Sequence, residues 1–254
     1  MKFATFLLES KHKQSITTEK AIEIAKQHCS KAIANKIELW RGGNFDDDCY
    51  LMDSTKTTRR SANTSNHYTI VIDHLIKDKN YPPRSKSFIM TADDFIAGNF
   101  GASRRIIPFD DAKIGTTKKE DLWYVNLNIE KLKNFTFEEF AGMFSDLDAP
   151  DDSYEKLLAF SVELLGELIE VTAKDPDDIS RSEEEFLKMF DGVKPTNADV
   201  EARLKDIFDP KKIGLEFFTG ATATAKSLKG ECWLSGKALA VTDEIYDEIV
   251  KALK

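Results

Sequence analysis

The chain has 254 residues, a formal net charge of -8, and 41% hydrophobic against 31% charged residues. That length and balance suit one large or two small folded domains and exclude a globally disordered chain. An acidic chain repels phosphate backbones, which argues against non-specific nucleic-acid binding by the molecule as a whole.

The first ten residues carry a short apolar run and no cleavage signature, so they read as a first strand or helix start and not as a signal peptide. Thr17 and Thr18 precede a helical repeat of apolar residues through Ala25, Cys29, Ala32 and Ile33, which predicts a threonine-capped helix from about Thr18 to Ala34. Ile37 to Arg41 alternates as a short strand stopped by Gly42 and Gly43. Residues 44 to 66 are rich in Ser, Thr, Asn and Asp and read by composition as a surface loop, long enough to imply a working role or disorder.

Tyr68 to Ile76 has the apolar spacing of a helix, and Tyr81-Pro82-Pro83-Arg84 breaks it. Ser87 to Thr91 reads as a strand, with Ser85, Ser87, Ile89 and Thr91 alternating onto one face. A helix over Ala92 to Phe100 follows, with Phe95, Ile96 and Phe100 on one side and Gly101 past its end. Arg105 to Pro108 is the next strand. From Thr136 the pattern turns helical. Capping signatures stand at Thr136 with Glu139, Ser182 with Glu185 and Thr196 with Asp199, and a leucine-rich helical repeat starts at Tyr154. Strand signals return at Glu231 to Leu234 and Leu239 to Val241, and Asp243 to Leu253 is a terminal helix. The fold class expected is therefore α+β. A single domain spans 1-254, with residues 136-210 as a helical insertion and the last strands rejoining the first sheet.

Cys29, Cys49 and Cys232 are odd in number and far apart, with no CxxC pair, which suits a reducing compartment and excludes a disulfide framework. The four histidines form no HExxH-type pair, so no metal is expected. No run of 18 apolar residues occurs, so neither a transmembrane helix nor a membrane partner is expected.

Four features bear on chemistry. Arg41 ends a strand before two glycines, where a planar cationic fork suits a phosphate or carboxylate; taken alone it reads first as an ordinary surface arginine before a turn. Arg59 to Thr69 gathers arginines, Asn63, Thr64 and Tyr68 into a run that can cradle a polar ligand or simply form a solvated loop. Arg84-Ser85-Lys86-Ser87 runs basic and hydroxyl side chains into a strand, which is otherwise a solvated edge. Glu231 opens an apolar strand, where a carboxylate can orient a hydroxyl or stabilise a developing cation, or else stand exposed after a turn.

Taken together, these motifs resemble the ADP-ribosyltransferase fold of the arginine–serine–glutamate type. The resemblance implies a split β-sheet core with an N-terminal helix and a helical insertion. It implies NAD as substrate, gripped by a cleft and not by a glycine-rich loop. It implies that Arg41 and Gly42 lie at the NAD phosphates or ribose, and that the serine motif falls on Ile89-Met90-Thr91 or, shifted, on Ser85-Lys86-Ser87. It further implies that Arg60, Asn63, Thr64, Tyr68, Arg84, Ser85, Ser87 and Thr91 shape the NAD cleft, with Glu231 as the catalytic residue sharing that cleft with Arg41. Two residues before Glu231 stands Lys229, where arginine-modifying members carry Glu or Gln.

Arg59 to Thr64, Pro82 to Phe88, Ile107 to Ala112 and Asp121-Leu122-Trp123 are also similar to a group of bacteriophage-encoded proteins. This implies transfer of ADP-ribose to a host protein or nucleic acid, in the host cytoplasm or from the virion. The alternatives are an inactive virion-associated or host-interaction protein of the same fold, or an NAD-cleaving enzyme without a macromolecular acceptor.

Overall fold

A computed structural model describes residues 12–56, 65–76, 81–175 and 177–254. In chain order these form β1 (Lys13–Ser15), α1 (Thr18–His28), α2 (Ser30–Ala34), β2 (Trp40–Gly43), β3 (Cys49–Asp53) and α3 (His67–Ile76). Then come β4 (Phe88–Thr91), α4 (Asp94–Gly98), β5 (Ala102–Pro108), β6 (Lys113–Thr116), α5 (Phe137–Asp146) and α6 (Tyr154–Lys174). The chain closes with α7 (Arg181–Met189), α8 (Asn197–Ile207), β7 (Glu216–Thr219), β8 (Glu231–Ser235), β9 (Lys237–Val241) and α9 (Asp243–Leu253). The result is a mixed α+β fold built on a multi-stranded antiparallel sheet. No helix among the described residues is long and apolar enough to cross a membrane.

The described residues divide into two compact units. One holds the strands with α1, α2, α4 and α9; the other holds α3 together with Leu122–Gly214. In the sheet unit the strand order is β1-β3-β9-β5-β2-β4-β8-β6-β7, with antiparallel pairing throughout. β9 lies between β3 and β5, and β8 lies between β4 and β6, so the last strands complete a sheet begun more than 180 positions earlier. Apolar residues of α1, α2 and the central strands make its core, among them Ala21, Ala25, Leu39, Ile106, Leu234, Leu239 and Val241. Arg105 ties α9 to this sheet. Its guanidinium lies 3.7 Å from the Tyr246 ring centre and 5.3 Å from that of Trp40, with Glu38 and Asp243 as carboxylate partners.

The helical unit is held by aromatic packing. Phe140 contacts Phe144 and Phe208, Phe137 contacts Phe208 and Tyr68, and Phe186 joins Phe144 to Phe190, with ring centres 4.6 to 5.8 Å apart. Capping boxes at Thr136–Glu139 and Ser180–Glu183 satisfy the first amides of α5 and α7. The second box starts two residues before the expected Ser182. There the serine hydroxyl pairs with Asp146 instead, which leaves Ser180 as the residue with extended backbone and a free first turn to cap.

Two further expectations are corrected. The single helix from Thr18 to Ala34 is two, broken at Cys29, whose backbone leaves helical geometry so that the Asp110 carboxylate can accept the amides of Lys31 and Ala32 at the start of α2. The polar loop of 44 to 66 contains β3, because the short apolar run Cys49-Tyr50-Leu51-Met52 pairs with β1 on one side and β9 on the other.

All three cysteines are free and buried. Burial raises each thiol, Cys232 to about 12. We therefore expect a thiol reagent to label none of them in the folded protein at pH 8 and all three after denaturation. The folded state holds these protons more tightly than an unfolded thiol near 9.0 does. Stability is therefore intact below that pH and falls as pH rises from 9 towards 12. A flat stability profile across this range, or rapid native labelling of Cys232, would contradict the burial.

Candidate active site

The site grows from three adjacent strands. Trp40 of β2 pairs with Thr91 of β4, and Thr91 pairs with Glu231 of β8. Residues directly opposite in an antiparallel ladder project to the same face, so Trp40, Thr91 and Glu231 form one row across the sheet. Trp233 lies two residues along β8 on that face. Opposite it, Gly115 of β6 has no side chain, and a Cβ there would come within 2.2 Å of the indole. Trp233 is fully buried and donates its ring N–H to the carbonyl of Pro82, 3.0 Å away. Phe217 of β7 meets it edge-on, and Tyr81 stacks flat on Phe217 with ring centres 3.9 Å apart.

Glu231 is held by its main chain first. Its N–H donates to the carbonyl of Lys119 at 2.8 Å, and its carbonyl accepts the N–H of Thr117 at 3.0 Å. Gly230 just before it takes φ +53°, a region that disfavours a side chain, and a Cβ there would lie 2.0 Å from the Lys119 oxygen. The Glu231 carboxylate is 5% exposed as a residue and accepts from the guanidinium of Arg84, itself 4% exposed. Arg84 sits in a single 3-10 turn, Arg84–Lys86, directly after two prolines, and its guanidinium carbon is 6.0 Å from the centre of the Trp233 ring. A buried carboxylate therefore has a buried guanidinium as a built-in counter-charge.

Ser85 lies in the same 3-10 turn as Arg84. The Ser87 hydroxyl donates to the carbonyl of Pro83 at 2.6 Å, and the Thr91 hydroxyl accepts the N–H of Asp93 at 3.1 Å, so both help shape the main chain around β4. Only Phe88 to Thr91 is strand, which leaves Ser85 outside the alternation expected of it. Gly42 permits a close approach, and α4 makes it: a Cβ at Gly42 would lie 1.9 Å from the carbonyl oxygen of Ala97.

Arg41 follows Trp40 and pairs with Arg104, which sends its side chain to the face opposite Glu231. Its guanidinium donates to the carbonyl of Ile89 and lies 5.6 Å from the Phe88 ring centre. Arg41 thus crosses to β4 from the far face and does not share Glu231's face. Tyr68 belongs to the helical unit, where it packs on Trp123 and Phe137. Arg60, Asn63 and Thr64 lie outside the described residues.

The pairing of Arg84 with Glu231, and the aromatic group of Trp233, Phe217 and Tyr81, were not read from the sequence. The prolines before Arg84 were the available signal, since they fix the backbone that aims it. Phe95 and Phe100, expected to share one side of α4 with Ile96, are largely exposed, and Ala97 is the buried residue of that helix. Among the described residues no cluster of His, Cys, Asp or Glu could hold a metal ion. No protein-family model, curated protein or solved structure matches the chain.

Proposed function

We propose that the chain is an ADP-ribosyltransferase of the arginine–serine–glutamate type that uses NAD and modifies a host macromolecule, acting in the host cytoplasm or from a virion. The observation that carries this reading is the neighbourhood of β2, β4 and β8. Segments separated by about 190 positions come onto three adjacent strands, with Thr91 paired directly with a buried Glu231. In this reading the sheet is the split core of that fold.

The chemistry asked of Glu231 is modest. When the C1′–N bond of NAD breaks, nicotinamide leaves as a neutral molecule with the bonding pair. Positive charge then develops on the ribose carbon and its ring oxygen. A carboxylate beside that ring stabilises the charge and accepts a ribose hydroxyl hydrogen bond, and a fixed group in a dry site does this without reorganising. An acceptor nucleophile then bonds to C1′ and loses its proton.

Incubation with labelled NAD and host lysate tests the reading. Release of nicotinamide and transfer of label are expected, with Glu231→Gln reducing turnover by about 10²-fold or more. Absence of NAD binding, cleavage and transfer in the wild type refutes it. A second reading, a non-catalytic host-interaction protein of the same fold, is favoured by the burial of Glu231 against Arg84 and by the capture of Arg41 by Ile89. The same assay decides between them.

A further inference from the structure

Building on the NAD reading, we propose that Arg84 is an internal latch on Glu231. Its guanidinium stands where the developing positive charge of the substrate belongs, and the diphosphate of the dinucleotide releases it. The Arg84 and Glu231 side chains are 4% and 7% exposed, and the guanidinium is in direct contact with the carboxylate. The occupant is a delocalised cation in contact with the carboxylate, which is the same electrostatic role an oxocarbenium-like centre would take.

The backbone around Arg84 does not need to open. The Pro82 carbonyl is held by Trp233, the Pro83 carbonyl accepts from Ser87 at 2.6 Å and from the N–H of Lys86 at 3.1 Å, and Tyr81 is stacked on Phe217. In the proposed exchange these anchors hold the main chain while the side chain moves. An arginine fork pairs with a carboxylate or with a phosphate by the same two-pronged geometry. A diphosphate carried in with the substrate is therefore a matched competitor for Arg84. Exchange of partners moves the guanidinium off Glu231 mainly when a diphosphate is bound, which would keep an NAD-cleaving site slow without it.

The exchange imposes a measurable linkage. A ligand that needs free Arg84 binds with its intrinsic affinity reduced by the fraction of molecules unlatched. Inorganic pyrophosphate is the probe, and calorimetric titration reads its affinity without any turnover. Glu231→Gln removes the competing carboxylate charge and should bind pyrophosphate at least about tenfold more tightly than wild type. Arg84→Gln, and the charge-neutral double variant Arg84→Gln/Glu231→Gln, should lose that binding.

Turnover gives the second arm. Nicotinamide riboside has the same C1′–N bond but no phosphate. Its hydrolysis passes the bonding pair to nicotinamide, joins water oxygen to C1′ and releases one proton. Wild type should cleave it slowly and be stimulated at least about tenfold by added pyrophosphate, while Arg84→Gln should cleave it faster than wild type with no pyrophosphate effect. Equal pyrophosphate affinity in wild type and Glu231→Gln overturns the latch, whatever the turnover. So does loss of riboside and NAD cleavage together in Arg84→Gln, which would make Arg84 a positioning residue. Pyrophosphate linkage as expected but no cleavage of NAD by any form would instead retire the transferase reading and leave the exchange standing.

Discussion

Arg84→Met lowers the unfolding free energy by about 3–5 kcal/mol, the cost of removing one partner from a buried ion pair. Methionine fills much of the arginine volume, so the loss is not a cavity effect. It comes from the buried Glu231 carboxyl group, which loses the guanidinium that faced it. Set against a typical domain stability of about 5–15 kcal/mol, this is a large share. The double variant Arg84→Met/Glu231→Gln is expected to recover most of the loss, because neither charge then remains buried. Urea unfolding of the four proteins gives the coupling between the two positions directly. If Arg84→Met costs less than about 1 kcal/mol, the pair is solvated in solution and contributes as a surface pair does.

Gly230→Ala is the second large effect, at about 2–5 kcal/mol. Two costs combine. A side chain at φ +53° carries a left-handed penalty of about 1–2 kcal/mol. The new methyl would also lie 2.0 Å from the Lys119 oxygen and 2.7 Å from that of Thr117, both main-chain atoms. Neither can swing aside as a side-chain tip can, so the start of β8 must shift, at an overpacking cost of about 1–3 kcal/mol. Gly192→Ala is the control. It has φ +70° and open space around it, so only the conformational cost applies. If the two substitutions prove equally costly, the contacts around Gly230 do not confine it. Because Glu231 follows Gly230, the same shift should reduce any activity that depends on the carboxylate.

Much of the helical part was legible because its signals are local. Threonine and serine caps, a leucine repeat and a proline stop each act within a few residues, and the caps at Thr136 and Thr196 stand where the sequence puts them. The sheet was less legible, for a physical reason. β3, β6 and β7 are four or five residues long and are stabilised by neighbours distant in sequence, as in the pairing of Gly115 with Trp233. In β3, four apolar residues were hidden by the polar stretch around them. Glu231 was legible as a carboxylate opening an apolar strand. Its partner was not, because 147 positions separate Arg84 from it and a pair interaction leaves no periodic trace. Arg41 shows the converse: a suggestive residue before two glycines, whose orientation depends on a register that sequence spacing does not contain.

The position of β8 and β9 in the strand order also dictates when the sheet can form. Without these two strands the order falls into β1-β3, β5-β2-β4 and β6-β7, three fragments with unpaired edges. A ribosome must therefore deliver residues up to Ser235 before β8 can join two of the fragments, and up to Val241 before β9 can add the third. The helical unit needs only residues up to Gly214 and can pack earlier. During synthesis the waiting fragments display open strand edges, which are templates for pairing with other chains. Polysomes making this protein should thus be more prone to aggregation while residues 215 to 241 are still being added than after release.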